Sequence, residues 1–254
     1  MQILLSMLLK TDTNIDIDDV QINFDESGLW ILNIAIAIIM FGVALGITLN
    51  DFKQLFKNPK IVFVGVFSQF ILLPATTFIA IILIKPHPSF ALGMMMIAAC
   101  PGGNVSNFFS KMARGNAALS VSLTAFATLI CVVMTPVNLH FWGSLYEPTN
   151  NILKTISINP YDLFKLVSLI LGVPLIFGML IKQYFNELSI QIEKILKPLS
   201  MGVFIVLIVI AFSQNLEIFI DHIHHVLYLV IFHNIFAYIL GFYTAKAFKL
   251  DHKN

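Results

Sequence analysis

The residues with the best chemistry for binding an ion lie in one stretch, AACPGGNVSNFFSKMARGN, from Ala98 to Asn116. A proline and two glycines, Pro101 to Gly103, are followed at once by the oxygen-bearing side chains of Asn104, Ser106 and Asn107. Proline removes a backbone donor and clashes with the preceding turn of a helix, and glycine favours unwinding. The sequence therefore predicts a broken helix, with freed carbonyls and N–H groups that face a common point and suit a cation and an anion respectively.

A stripe of hydroxyl groups follows in the next apolar run. Ser120, Thr124 and Thr128 recur at i, i+4 and i+8, which places three hydroxyls on one face of a helix. Such residues usually serve packing or interhelical hydrogen bonds, and a proline kink relieved by neighbouring helices is the simpler interpretation of the break. A hydroxyl stripe beside a broken helix favours instead a site for a hard cation such as sodium, which prefers oxygen ligands.

Further polar positions lie in apolar surroundings. Gln69, in SQFILLP, costs free energy unless it is hydrogen-bonded, and we expect it to approach the break rather than to serve only as an interhelical contact. His233 is expected to bond to a neighbouring helix. The histidines at 222, 224 and 225 have no matching cysteine or carboxylate framework, so we expect no metal site other than sodium.

Composition places these residues in a lipid bilayer. Of the 254 residues, 58% are apolar and 11% are charged, whereas about a quarter of a soluble chain is charged. The net charge of +1 gives no basic excess for nucleic acid, so no nucleic-acid partner is expected. The sequence contains no HExxH or GxSxG motif, and its polar positions within apolar runs are mostly hydroxyls and amides. We expect neither an enzyme nor an organic cofactor.

Seven apolar runs are each long enough to cross a hydrocarbon core of ~30 Å as a helix. The predicted spans are residues 29–52, 60–84, 89–112, 117–142, 162–184, 195–213 and 223–248. Residues 1–28 are rich in aspartate and predict a tail outside the membrane, and 29–254 form one membrane domain. The predicted fold is an all-α polytopic membrane helix bundle of about seven transmembrane helices, of which 89–112 is broken.

The distribution of basic residues predicts the orientation. All but four of the fifteen lysines and arginines fall on one side of the predicted spans, and the exceptions are Lys10, Lys85, Lys154 and Lys165. Because positive residues concentrate on the cytoplasmic side, the N-terminus is expected outside and the C-terminus in the cytoplasm. We expect a multi-pass protein of the plasma (inner) membrane.

Two spans resemble each other weakly. VGVFSQFILLPATTFIAIIL and LVIFHNIFAYILGFYTAKAF each place an amide, Gln69 or Asn234, early in an aromatic-rich helix. The two helices would cross the membrane in opposite directions. Inverted repeats of this kind build the central sites of many secondary transporters.

Several longer motifs together resemble the bile acid:sodium symporter family. They are ACPGGNVSNFFSKMARGNAALSVSLTAFATLI, SQFILLP, IMFGVALGITLNDFKQLFKNPK and FHNIFAYILGFYTAKAFKLD. The resemblance implies a secondary active transporter that carries an organic anion, a bile acid or a smaller carboxylate, together with sodium by alternating access. It also implies panel-like spans (29–52, 162–184 and 195–213) and core-like spans (60–84, 89–112, 117–142 and 223–248).

The resemblance further implies the site residues. Motif matching places ligands of one sodium ion at four positions: Ser106, Asn107, Ser120 and Thr124. Gln69 matches a ligand of a second sodium ion, and Asn104 matches a position that lines the substrate cavity. Sodium would be the coupling ion.

The chain departs from the family pattern after LGFYTAKAFKLD. In the family the next span carries a glutamate and a Gln-Asn pair that complete both sodium sites, and these residues are absent here. We therefore expect a C-terminally truncated chain with an incomplete inverted-repeat fold. The alternative function is an inactive membrane protein that lacks the last two spans. Seven spans also occur in receptors and retinal pumps, but Lys246 lies near the end of the last span rather than deep within it.

Overall fold

The computed structural model of the protein describes residues 26–48, 53, 55, 57–103, 105–155, 161, 165, 168–214 and 216–251. All regular structure in these residues is helical, which confirms the predicted all-α class. The helices are α1 (Glu26–Ala44), α2 (Pro59–Phe67), α3 (Leu73–Ile84), α4 (Pro88–Ala99), α5 (Val105–Met112), α6 (Ala117–Leu145), α7 (Glu147–Thr155), α8 (Val173–Tyr184), α9 (Asn186–Gln214) and α10 (Leu216–Ala247). Two π-helical turns, Ser68–Leu72 and Ser168–Gly172, lead directly into α3 and α8.

Several of these helices have the length and composition of membrane spans. Pro59–Ile84, Ala117–Leu145 and Val226–Ala247 contain 26, 29 and 22 residues and are long and apolar enough to cross a bilayer. Shorter apolar helices cover Asn33–Ala44, Pro88–Ala99 and Ser168–Tyr184. Large apolar side chains lie exposed on their surfaces, as the lipid-facing side of a membrane bundle requires. The chain is a multi-pass membrane protein.

Helix boundaries differ from the predicted spans at both ends of the chain. α1 ends at Ala44, inside the predicted span 29–52, because the backbone then tightens into i→i+3 hydrogen bonds at Gly46 and Ile47. Most of the predicted tail, residues 1–28, lies outside the described residues, and residues 26–28 belong to α1.

The stretch between the predicted spans 195–213 and 223–248 is helical from Leu216 onwards. α10 begins at Leu216, so the histidines at 222, 224 and 225 lie on a helix. Apolar residues recur at 216, 219, 220, 223 and 227, the spacing of one helical face. This periodicity extends the helix through residues 216–222, which lie between two predicted spans.

Packing separates the helices into two groups. In the first, α1 packs on α8 and α9. In the second, α4 packs on α3 and α6, α5 packs on α6, and α10 lies against α3 and the first π-turn. The groups meet in an apolar cluster in which Ala125 of α6 packs with Ala44, Ile47 and Leu175.

Close helix approach in the first group depends on one glycine. A Cβ atom on Gly178 of α8 would lie 2.5 Å from the Cβ of Ala44 and 3.0 Å from the carbonyl oxygen of Phe41. Real Cβ atoms do not approach so closely, so α1 and α8 pack at this distance only because residue 178 lacks a side chain.

Helix α7 lies where the sequence analysis placed a connector. The Thr149 hydroxyl is buried and donates to the carbonyls of Gly143 and Tyr146, which fixes the turn between α6 and α7. Leu153 is also buried and lies beside Gly143. These contacts hold α7 against α6 and α4.

Candidate ion-binding site at a broken helix

The third predicted span is two helices separated by extended backbone. α4 ends at Ala99, Cys100 is extended with φ −79° and ψ 153°, and α5 begins at Val105. Pro101 cannot donate a backbone hydrogen bond, so the helical ladder stops in front of it. A Cβ atom built on Gly102 or Gly103 would meet nothing within 4 Å, so the backbone of the break faces open space.

Asn107 connects α5 to α6. Its Oδ1 atom accepts hydrogen bonds from Ser120 Oγ at 2.6 Å and from Thr124 Oγ1 at 3.0 Å. Ser110 Oγ lies 3.2 Å from Ser120 Oγ, one turn along α5. Three of the four residues assigned by motif to one sodium site therefore touch one another in a single cluster of neutral oxygens.

Ser106, the fourth of these residues, lies beside the cluster and faces outward. It is exposed, and its hydroxyl donates to the carbonyl of Gly103 at 2.7 Å, as its backbone N–H does at 3.0 Å. Both bonds begin the first turn of α5. Asn104 lies outside the described residues.

At the α4 end of the break, two backbone carbonyl groups each accept a hydrogen bond from a side chain. Gln69 Nε2 donates to the Cys100 carbonyl oxygen at 2.8 Å, and Thr135 Oγ1 donates to the Ala99 carbonyl oxygen at 2.8 Å. Gln69 therefore approaches the break, as the sequence analysis expected. The Oε1 atom of its amide can accept hydrogen bonds or coordinate a cation.

A π-turn presents Gln69 to the break. The N–H of Leu73 bonds the carbonyl of Ser68, five residues back, and Pro74 follows with no N–H to donate. The widened turn satisfies the backbone in front of a proline that an α-helix interior tolerates poorly. The second π-turn also ends two residues before a proline, Pro174, which is the second residue of α8.

Among the residues that the structure describes, two predicted polar positions bond within their own helices. Thr128 is buried and donates to the carbonyl of Thr124 in its own helix. Asn234, the suggested counterpart of Gln69, is exposed, and its Nδ2 donates to Val230 in its own helix at 2.8 Å. The two amides thus differ in environment, because Gln69 reaches another helix and Asn234 does not.

His233 bonds to a neighbouring helix, which confirms that expectation. Its Nε2 atom lies 2.9 Å from Thr77 Oγ1, and both residues are buried. The pair joins α10 to α3. Among the described residues, no group of three or more His, Cys, Asp and Glu side chains is arranged to hold a metal ion.

An open cavity of about 780 Å³ lies where the two helix groups meet, near the ends of α1 and α8. Its apolar wall includes Ile176 and Met179 on α8 and Leu129 on α6. Lys53 and Lys182 contribute cationic groups to its lining. Lys182 Nζ lies 3.8 Å from Glu193 Oε2, so one of the two charges is partly balanced.

Two polar residues near the break were not predicted from the sequence: Ser110, which belongs to the cluster at Asn107, and Thr135, which bonds the Ala99 carbonyl at the end of α4. Thr135 extends the stripe of Ser120, Thr124 and Thr128 along the same face of α6, and Ser110 lies one turn after Asn107 on α5. Continuing the hydroxyl stripe two turns past Thr128 reaches Thr135, and continuing one turn past Asn107 reaches Ser110. The partner of Thr135, however, depends on how α4 packs against α6.

Comparison with known proteins gives the family. Residues 33–222 match the Sodium Bile acid symporter family. The Bacillus subtilis (strain 168) protein named "Uncharacterized sodium-dependent transporter YocS" is 32% identical over 91% of this chain and 70% of its own length. The Arabidopsis thaliana protein named "Probable sodium/metabolite cotransporter BASS1, chloroplastic" is 29% identical over 72% of this chain and 43% of its own length.

A mammalian relative matches in the same way. The human ileal sodium/bile acid cotransporter is 30% identical over 65% of this chain and 46% of its own length. The chain thus spans less than half the length of the plant and human relatives. Because the family match covers most of the chain, we conclude that this protein belongs to the sodium bile acid symporter family, a family of transporters rather than enzymes.

Proposed function

We propose that this protein takes part in sodium-coupled symport of an organic anion by alternating access. The observation that carries the proposal is the cluster at Asn107, where oxygens from two helices converge beside a broken helix. Sodium is a hard cation that prefers such ligands. Sodium would take the place of the two hydroxyl donors as the partner of Asn107 Oδ1, and the Ser120 and Thr124 hydroxyls would keep their protons and turn their oxygens towards the ion.

The first sodium site consists of the four motif residues. Asn107 Oδ1 and the hydroxyls of Ser120 and Thr124 already lie in one cluster, and Ser106 lies next to Asn107 on α5. Ser106 would turn its hydroxyl from the Gly103 carbonyl towards the ion. This rotation links ion binding to the backbone of the break, because the same hydroxyl now bonds Gly103.

A second sodium ion would bind on the other side of the break. Gln69 Nε2 donates to the Cys100 carbonyl there. Gln69 Oε1 and the Cys100 carbonyl oxygen each keep a lone pair that this hydrogen bond does not use. Sodium at both positions would order the break from both ends. The expected coupling free energy between sodium and the transported anion is about 1–3 kcal/mol.

The organic anion would bind between the two helix groups. The cavity near Lys53 and Lys182 combines an apolar wall with cationic groups, which suits a carboxylate on an apolar body. Asn104 is assigned to the anion by motif matching alone. The group of α1, α8 and α9 acts as a panel, and the group of α3, α4, α5, α6 and α10 acts as a core. Movement of the panel group against the core group would break the apolar contacts of Ala125 with Ala44, Ile47 and Leu175.

The test is uptake of radiolabelled organic anions, a bile acid and a small carboxylate, into vesicles that carry the chain. An inward sodium gradient should drive uptake and an equal potassium gradient should not. Asn107→Ala should abolish the sodium dependence, whereas Asn234→Ala, which removes an exposed amide that donates to Val230 in its own helix, should preserve it. Uptake that Asn107→Ala leaves unchanged would contradict the site. Absence of both uptake and sodium binding would favour the alternative, an inactive membrane protein.

A further inference from the structure

Thr135 makes an unusual hydrogen bond for a threonine in a membrane helix. Its hydroxyl donates at 2.8 Å to the carbonyl of Ala99, which is 36 residues away on α4. Thr124, Thr128 and Thr244 all donate to the carbonyl four residues before them in their own helices. That local bond is the usual one for such residues. Thr135 instead bonds the last residue of the helix that ends at the break.

This bond complements the cluster at the other end of the break. The half-helix α5 is tied to α6 through Asn107 at Ser120 and Thr124. The half-helix α4 is tied to the same α6 at Thr135. Thr124 and Thr135 are separated by about 16 Å of regular helix. Because α6 is continuous through both positions, it holds the two half-helices at a fixed separation.

We propose that Thr135 is a positioning residue for the two sodium sites. Its hydrogen bond fixes the Ala99 carbonyl, after which Cys100 becomes extended. The bond therefore sets the position of the Cys100 carbonyl, which Gln69 contacts, and its distance from Asn107. Thr135 touches neither proposed ion, and it acts through the backbone of α4. This role rests on the proposed function, since it concerns the geometry of the proposed sodium sites.

The test compares Thr135→Val, which keeps the shape and removes the hydroxyl, with Thr135→Ser, which keeps the hydroxyl. The purified full chain is titrated with sodium chloride against a matched series of potassium chloride, with tryptophan fluorescence as the signal. Thr135→Val should raise the sodium concentration for half-saturation about three- to tenfold, the factor that one interhelical hydrogen bond is worth. Thr135→Ser should stay close to the unmodified chain. Thr244→Val, which removes a hydroxyl that donates to the Leu240 carbonyl in α10, should also do so.

A second measurement reports on the break without sodium. The chain has two cysteines, and Cys131→Ser leaves Cys100, the first residue after α4, as the sole thiol. In this background Thr135→Val should accelerate maleimide labelling of Cys100, and Thr244→Val should not. If the Val variant fails to fold, Thr135→Ala is measured in its place.

The two failures are distinguishable. A parent chain that does not respond to sodium, with labelling of Cys100 still faster in Thr135→Val, would overturn the proposed function and leave Thr135 as a determinant of the break. A sodium response in the parent that Thr135→Val leaves unchanged, with unchanged Cys100 labelling, would overturn the role of Thr135.

Discussion

At the scale of single residues, Asn107 and Gln69 illustrate two uses of an amide in a membrane helix. Asn107 uses its oxygen to accept two hydroxyl protons, and Gln69 uses its nitrogen to donate to a backbone carbonyl. Each amide therefore satisfies groups that lipid could not solvate. The amide oxygen of Gln69 and the hydroxyl oxygens near Asn107 supply the lone pairs that we assign to sodium.

Replacing Gln69 should destabilise the protein because it removes the donor to the Cys100 carbonyl. We expect Gln69→Leu to lower the free energy of unfolding by about 1 kcal/mol, the low end of the cost of leaving an acceptor without a partner, because the Cys100 carbonyl is only part-buried. Thermal unfolding in detergent micelles would measure the change. Asn234→Leu is the matched control, since the exposed amide of Asn234 donates to Val230 in its own helix. Equal stability of Gln69→Leu and Asn234→Leu would show that the Cys100 carbonyl does not need Gln69.

The sequence contains enough information to place some of these residues and not others. The family resemblance grouped Asn107 with Ser120 and Thr124, and the short turn between α5 and α6 lets these residues meet. Thr128 belongs to the same stripe by spacing, yet its hydroxyl bonds its own helix. Spacing predicts which face a side chain lies on, and only packing decides which acceptor on that face it reaches.

At the scale of elements, prolines and glycines determine where the helices open and where they approach. Pro101 ends α4, and Pro74 and Pro174 each follow a π-turn. The break could be predicted because Pro-Gly-Gly leaves a helix few options. The π-turns could not be predicted in this way, since a proline in a membrane helix is equally well accommodated by a kink.

Gly178 gives a direct test of helix approach. We expect Gly178→Ala to lower the free energy of unfolding by about 1–3 kcal/mol, because the added Cβ would overlap the Cβ of Ala44 and force α1 and α8 apart. Gly241→Ala is the matched control, since a Cβ at that position meets nothing within 4 Å and alanine has the higher helix propensity. Thermal unfolding of the two variants side by side provides the measurement. A stable Gly178→Ala chain would contradict the close packing of α1 on α8.

At the scale of the whole molecule, the apolar runs allowed the membrane class to be predicted, because helices are the structure that satisfies the backbone in lipid. The connectors were harder to predict. α7 and the first part of α10 carry charged or histidine residues and are nevertheless helical. Their helices follow from apolar spacing and from contacts such as Leu153 on Gly143, which composition alone does not reveal.

Orientation in the membrane is a property of the whole chain, and it can be measured by labelling the two ends of one span. Lys57 and Lys85 flank the span Pro59–Ile84 and are both exposed. With the N-terminus outside, Lys85 lies on the outer side and Lys57 in the cytoplasm. In intact cells a membrane-impermeant maleimide should label Lys85→Cys and not Lys57→Cys, each built in a chain without its native cysteines. Labelling of Lys57→Cys alone would reverse the proposed orientation.

The most direct test of the sodium site is thermal unfolding of the purified full chain across matched series of sodium and potassium chloride. A ligand that binds only the folded state stabilises it by RT ln(1 + [L]/Kd), about 2.7 kcal/mol at 100 times Kd. Sodium should therefore raise the melting temperature of the unmodified chain and of Asn234→Ala, potassium should not, and Asn107→Ala should lose the sodium effect. Equal responses to the two salts, or a sodium response that survives Asn107→Ala, would contradict a sodium site at Asn107.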